Sequence, residues 1–280
     1  MTLVGPGGIG KTQLAVQCAY DHTGAFRDGV VTVLLRSLGG DVSEAEVGTA
    51  IAETLGLSPG PTGDPWTVTL QYLRQRELLL VLDNLEQLLS CPDGGPDAPT
   101  CADRITGLLH QAPGLLILAT SRERLRLVDE QVYEVEELAF PPSAAEPDPQ
   151  RFGAVALFVE RARQVQRRFA LDDSTLPNVL RICALVEGIP LGLELAAAAL
   201  AERPLAEIGT TLDSLVTPLR DVTPRHRSLR AAFEHSWALL TGAEQRALAA
   251  LSVFAGPFDT SAASAVLGVP AGPPLTALSR

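Results

Sequence analysis

The eight residues GPGGIGKT at 5–12 have the types and spacing of a loop that binds phosphate. A loop with few β-carbons can turn successive backbone N–H groups towards one anion, and the N-terminus of the following helix adds a partial positive charge. Lys11 is expected to contact the β- and γ-phosphates of a nucleotide, and the Thr12 hydroxyl is expected to bind Mg²⁺. An ordinary glycine-rich turn with an exposed lysine is the alternative. The residues predicted to bind the nucleotide here are Gly5, Pro6, Gly7, Gly8, Ile9, Gly10, Lys11, Thr12 and Gln13.

A candidate metal ligand, Asp83, ends the apolar run LLLVLD at 78–83, which predicts a strand covered on both faces. Ligands bind at the carboxyl edge of parallel sheets, so Asp83 is expected to bind Mg²⁺ directly or through water. Asn84 occupies the next position, where many ATPases with this loop have a second acid. Glu86 is the nearest carboxylate. It either activates the attacking water or is an exposed charge at a helix start.

A candidate phosphate contact, Arg122, follows the apolar run LLILATS at 115–121, which predicts another strand. Thr120 and Glu123 have the spacing of a helix capping box, which accounts for those two residues without a function. Arg122 either contacts the terminal phosphate and reports its presence, or is one of several surface arginines. The candidate catalytic residues are therefore Lys11, Asp83, Glu86 and Arg122.

Strands and helices alternate over residues 1–139. Short aliphatic runs predict further strands at 3–4, 30–35 and 131–138, and the last is polar enough for a sheet edge. Helices are predicted at 12–20 and 43–57, with Ser43 and Glu46 forming a capping box at the start of the second. This alternation predicts an α/β fold with a parallel sheet and helices on both faces.

The pattern becomes helical after FPPSAAEPDPQ at 140–150, which has four prolines and predicts a linker. One apolar helix face is predicted from Val155, Phe158, Ala162, Val165 and Phe169, and a second from Val179, Ile182, Cys183 and Val186. The run LGLELAAAALA at 191–201 is apolar almost all round, which predicts a buried helix. A break at 216–227 precedes a third block, where Thr241 and Glu244 form another capping box.

Composition limits the classes of function. The chain has 280 residues, 46% of them hydrophobic, and a net charge of −11, which disfavours a non-specific nucleic-acid binder. No apolar run approaches the length of a membrane span and no signal peptide is recognisable, so the cytoplasm is the expected location. Of the four cysteines, Cys18 and Cys183 are expected to be buried thiols. A disulfide between Cys91 and Cys101 is not expected.

Taken together and in this order, the motifs resemble the NB-ARC-like signal-transduction ATPases with numerous domains, of the bacterial regulator type. They are GPGGIGKT, LLLVLDNLEQLL, LLILATSRERLRL, YEVEELAFPP, LFVERARQV, EGIPLGLELAA and PRHRSLRAAFEHSWALLTGAEQRALAALSVFAGPFD. The resemblance implies a P-loop NTPase domain over 1–139, a small helical domain over 152–218, and the first part of a winged-helix domain over 224–280.

The resemblance also implies how the nucleotide acts. Pro190 would pack near the adenine and Arg122 would contact the terminal phosphate. ADP would hold a closed state, whereas ATP would permit opening and homo-oligomerisation, with sensor and output domains outside this chain.

Three departures from the family bear on activity. The family's segment before the phosphate loop is absent, its late histidine motif would lie beyond Arg280, and Asn84 replaces the second acid, which implies slow hydrolysis. Because a phosphate-loop strand normally lies inside a domain, a start at Met1 predicts a fragment of a longer protein or a shortened gene model.

The interpretation that results is an ATP- and ADP-binding switch with slow Mg²⁺-dependent ATP hydrolysis. A P-loop small-molecule kinase or transferase, a nucleic-acid motor, and a nucleotide-binding interaction module without hydrolysis are the alternatives. The basic cluster Arg225, His226, Arg227 and Arg230 either contacts phosphate or another domain, or is a solvated helix start. Direct binding of nucleic acid by residues 1–280 is not expected.

Overall fold

The computed structural model describes residues 1–35, 43–60, 63–85, 100–208, 237, 240–254 and 258–268. The chain divides into two compact units, Met1–Glu136 and Glu137–Arg280. The predicted division into three domains stays a prediction. The basic cluster at 225–230 lies outside the described residues. None of the described helices is long and apolar enough to cross a membrane.

The first unit contains a parallel sheet of five strands. They are β1 (Thr2–Val4), β2 (Val30–Leu34), β3 (Leu78–Asp83), β4 (Leu115–Ser121) and β5 (Val132–Glu134). Their order across the sheet is β2-β3-β4-β1-β5, and every neighbouring pair is parallel. The predicted α/β fold is confirmed, and the polar β5 lies at an edge, as its sequence indicates.

Helices cover both faces of this sheet. They are α1 (Lys11–Asp21), α2 (Glu44–Thr54), α3 (Pro65–Leu73) and α4 (Cys101–Gln111). In β3, Leu79 and Val81 pack with Ala15 and Ala19 of α1, whereas the alternate residues pack with the apolar side chains of α2, α3 and α4. Because strand side chains alternate between faces, Asp83 extends from the face that α1 covers.

Local signals in the first unit have mixed outcomes. The capping box of α2 is confirmed, since the Ser43 amide donates to Glu46 Oε2 over 2.8 Å. The prediction that Cys18 is buried is wrong, because α1 meets the sheet only through its alanine stripe and Cys18 is exposed. Cys101 is buried, and Cys91 lies outside the described residues.

The described part of the second unit is helical. Its helices are α5 (Gly153–Val165), α6 (Leu176–Leu185), α7 (Pro190–Ala198), α8 (Gly242–Leu251) and α9 (Thr260–Leu267). A single core joins the buried faces of α5, α6 and α7, and it contains most of the residues predicted for the two apolar helix faces. Burial also raises the pKa of the Cys183 thiol to about 12. The capping box at the start of α8 is confirmed, since the Thr241 amide donates to Glu244 Oε2 over 2.8 Å.

The predicted face of α5 is wrong at its end. Val165 is 40% exposed, and the helix ends there, so Phe169 lies beyond it. Phe169 still reaches the core, because its ring packs edge-to-face on Phe158 with the centroids 5.9 Å apart. The periodicity therefore identified core residues but overestimated the length of the helix.

Candidate nucleotide-binding site

The loop between β1 and α1 has the backbone shape of a phosphate cradle. Gly8 and Gly10 have φ values of 84° and 96°, in the left-handed region that a β-carbon disfavours. Ile9 between them is only 3% exposed, so its side chain anchors the loop in the interior. Gly10 is the N-cap of α1 and has no side chain that could cap the first amides of the helix, and the N-terminus of a helix attracts an anion.

Lys11 lies against this loop. Its Nζ donates to the carbonyl oxygen of Gly5 over 2.7 Å and to that of Pro6 over 2.9 Å. The ammonium is thus held beside the amides that would bind a phosphate, and an anion entering the loop would meet its charge. Gln13, also predicted at the site, is exposed in the first turn of α1.

The carboxylate of Asp83 connects the loop to the sheet. Its Oδ1 accepts hydrogen bonds from Thr12 Oγ1 over 2.6 Å and from Thr120 Oγ1 over 2.7 Å. The register explains this contact. Leu82 pairs with Ala119, so Asp83 and Thr120 are the next neighbours at the carboxyl ends of β3 and β4. Asp83 and Thr120 are each 2% exposed, so both hydroxyls compensate a buried charge.

Thr120 has a second contact, which was not predicted. Its Oγ1 also accepts from the backbone N–H of Asn84 over 2.9 Å, and Asn84 has a φ of 71°. The predicted capping box of Thr120 and Glu123 is wrong, because β4 continues to Ser121 and no helix follows in this described segment. A threonine next to the end of a buried strand, beside a strand that ends in aspartate, is the signal that could have identified this contact.

The donor set fits Mg²⁺ bound to a nucleotide. The Thr12 hydroxyl gives its proton to Asp83, so its oxygen lone pairs are available to a cation. No described residue donates to Asp83 Oδ2, which can therefore accept from a metal-bound water or bind the ion. Among the described residues no cluster of three or more His, Cys, Asp or Glu could hold a metal.

The remaining predicted residues differ in what the structure describes. Val4 pairs with Ser121, so Gly5 and Arg122 directly follow the carboxyl ends of the neighbouring strands β1 and β4. Arg122 is partly exposed there. Glu86 lies outside the described residues. Pro190 begins α7 in the second unit, and its predicted contact with the adenine stays a prediction.

A parallel sheet of this strand order, with a glycine-rich phosphate loop between β1 and α1, defines a P-loop NTPase fold. Over 270 residues, 95% of its length, the chain is 34% identical to a protein of Mycobacterium tuberculosis provisionally named an HTH-type transcriptional regulator. It is 28% identical over 284 residues to the regulatory protein AfsR of Streptomyces coelicolor. The chain spans 28% of the first relative and 25% of the second.

A solved structure is similar as well. It is a signal-transduction ATPase with numerous domains from Pyrococcus horikoshii, with 16% identity, a TM-score of 0.41, and coverage of 99% of this chain and 36% of that one. No family model matches the chain. The resemblance to a bacterial regulator ATPase is confirmed, whereas the narrower assignment to the NB-ARC type stays a prediction.

Replacing Lys11 with alanine should weaken ATP binding and leave the fold intact. A charge-assisted contact to phosphate contributes about 1.5–3 kcal/mol, so the ATP affinity should fall by about tenfold or more. Isothermal titration calorimetry measures this. Arg167→Ala, which removes an exposed cation of the second unit, is the matched control. Equal affinities for the parent and Lys11→Ala would contradict the assignment of the loop.

Replacing Asp83 with alanine, or Thr120 with valine, should reduce the gain in ATP affinity that Mg²⁺ provides. Asp83→Ala removes the carboxylate, and Thr120→Val removes one of the two hydroxyls that hold it while keeping the branched shape. Thr120→Ser keeps the hydroxyl and should behave like the parent. The measurement is ATP affinity with Mg²⁺ and with a chelator. An equal loss under both conditions would make Asp83 and Thr120 structural residues.

Proposed function

We propose that this chain is an ATP- and ADP-binding switch module of a larger bacterial regulator, with slow Mg²⁺-dependent ATP hydrolysis. The observation that carries the proposal is one chain of hydrogen bonds, from Thr12 through Asp83 and Thr120 to the backbone of Asn84. It connects the end of the phosphate loop to the ends of β3 and β4, where a metal-bound phosphate would lie.

The phosphates are proposed to bind through four features of the loop. The backbone amides around Gly8 and Gly10 face the anion, and the N-terminus of α1 adds its dipole. Lys11 exchanges the carbonyl oxygens of Gly5 and Pro6 for phosphate oxygens. Thr12 binds the metal through its hydroxyl oxygen. Each contact is to phosphate or to the metal rather than to a base, so the loop by itself distinguishes nucleotides by their phosphates.

Mg²⁺, when bound, would neutralise charge on the β- and γ-phosphates and so favour departure of the terminal phosphoryl group. Thr12 and Asp83 are the residues proposed to hold it. Two hydroxyls hold Asp83 through Oδ1. The side-chain conformation that they fix also sets the position of Oδ2. The carboxylate would need no rearrangement when the nucleotide enters.

Slow hydrolysis follows from the residue after Asp83. Efficient hydrolysis needs a group that orients the attacking water and takes its proton, and an asparagine amide can orient water but cannot take a proton at neutral pH. Asn84 is held in a left-handed conformation that asparagine tolerates better than most residues. Glu86 remains the candidate base, and a module that binds nucleotide without hydrolysing it is the second candidate function.

The switch itself requires that ATP and ADP bind differently to the two states, since a ligand shifts an equilibrium only by its differential affinity. Arg122 is proposed to provide that difference through the terminal phosphate. Pro190 is proposed to contact the adenine. Opening and homo-oligomerisation with ATP, and signalling through domains outside this chain, are proposed from the resemblance of its motifs to the signal-transduction ATPases with numerous domains.

Single-turnover ATP hydrolysis tests which residue activates water. If Glu86 is the base, Glu86→Gln should keep ATP binding and lower the rate by about 10²–10⁴-fold. Asn84→Asp should raise a slow rate if position 84 faces the water, because it restores a carboxylate there. Glu53→Gln, which changes an exposed carboxylate of α2 in the same way, is the control.

The outcomes separate hydrolysis from binding. A Glu86→Gln variant as fast as the parent, together with an Asn84→Asp variant that is no faster, would show that neither residue activates water. The chain would then be a nucleotide-held switch without its own hydrolytic group. Absence of ATP binding in the parent protein would overturn the proposed function as a whole.

A further inference from the structure

The loop from Arg122 to Gln131 connects β4 to β5 and is held by a carboxylate from its own far end. Glu130 Oε1 accepts from the backbone N–H of Leu125 over 3.0 Å, and Glu130 Oε2 accepts from that of Arg126 over 2.8 Å. Both oxygens of one side chain are therefore bound to two successive amides. Arg126 has a φ of 60°, which is the conformation that turns these two amides towards one acceptor.

The same loop is fixed at its other contacts. Leu125 is 8% exposed and belongs to the core beneath the sheet. The backbone N–H of Glu130 donates to the carbonyl of Leu127 over 3.1 Å, which closes the turn that brings the carboxylate back. At the start of the loop, the backbone N–H of Glu123 donates to Ser121 Oγ over 3.3 Å. The short segment between Ser121 and Leu125 is thus held at both ends.

Arg122 is the first residue of that segment. It leaves β4 beside the point where Gly5 leaves β1, and neighbouring strands lie about 4.8 Å apart. An arginine contacts phosphate well only when its backbone is fixed, because ordering a mobile side chain and loop on binding reduces the affinity gained. Glu130 fixes this backbone although it is distant from the phosphate loop in the sequence and precedes β5, so it does not lie at the carboxyl end of a strand.

We propose that Glu130 is a positioning residue for Arg122 and that it thereby sets the preference of the site for ATP over ADP. The inference rests on the proposed function, in which Arg122 contacts the terminal phosphate. In this proposal Glu130 affects the nucleotide through the loop amides that it binds, so its removal should affect the nucleotide that has a terminal phosphate and spare the one that lacks it.

The test measures the affinities of the whole chain for Mg²⁺-ADP and for the Mg²⁺ complex of a non-hydrolysable ATP analogue with a β,γ-imido bridge. Glu130→Ala should lower the ratio of the affinity for the ATP analogue to the affinity for ADP by about threefold or more, a usual size for residues coupled through a shift of the backbone. Glu130→Gln keeps one acceptor oxygen and should lie between Glu130→Ala and the parent. The affinity for ADP should stay within about twofold of the parent, the usual error of additivity.

Asp129→Ala is the matched control. It removes the neighbouring acid of the same turn, whose Oδ2 contacts His110 Nε2 at 3.1 Å instead of the loop amides, and it should leave the ratio unchanged. The double variant of Arg122→Ala with Glu130→Ala should show the ratio of Arg122→Ala alone, because a positioning residue has nothing left to position. A purely structural loss would instead add to it.

The results distinguish a failure of Glu130 as a positioning residue from a failure of the proposed role of Arg122. If Arg122→Ala lowers the ratio but Glu130→Ala and Glu130→Gln leave it unchanged, or lower both affinities equally, Glu130 does not position Arg122. If Arg122→Ala itself leaves the ratio unchanged while Lys11→Ala still weakens binding, the proposed role of Arg122 fails and the inference fails with it. Melting temperatures identify any variant that does not fold, and Glu130→Gln then carries the test.

Discussion

The buried carboxylate of Asp83 is the constraint on which the site depends. A carboxylate that leaves water loses several kcal/mol unless hydrogen bonds replace its solvation. Thr12 from α1 and Thr120 from β4 replace it on one oxygen, so three elements must meet at one point. That requires the β3–β4 register and the packing of Ala15 and Ala19 on Leu79 and Val81. A shift in the β3–β4 register or in the packing of α1 would leave the carboxylate without its hydrogen-bond partners. The geometry of the site therefore depends on the packing of the core.

Much of this arrangement could be predicted from the sequence where the signal is local. The spacing of the glycines, Lys11 and Thr12 predicted the loop, and the limits of β3 and β4 were predicted because each apolar run ends at a polar residue. The order of the strands could not be predicted, because it depends on pairing between distant segments. Thr120 shows the same difficulty: its local spacing suggests a helix cap, but the register with β3 directs its hydroxyl to Asp83.

Lys11 illustrates how composition can support a proposed site. It is the only lysine of the chain, which otherwise uses arginine for its permanently charged basic side chains. A compact ammonium can donate to two neighbouring loop carbonyls and transfer to a phosphate, whereas a planar guanidinium requires a wider, forked acceptor. A single lysine at this position fits the proposed phosphate loop.

Nucleotide protection of that single lysine tests the account most directly. An amine-selective reagent can label only Lys11 and the N-terminal amine. Mass spectrometry can therefore measure the labelling of Lys11, with the N-terminal amine of the same molecule as an internal control. If the loop binds phosphate, ATP or ADP with Mg²⁺ should protect Lys11, AMP should protect it much less, and labelling of the N-terminal amine should not change. Equal labelling of Lys11 with and without ATP would contradict the assignment of the loop as the phosphate site.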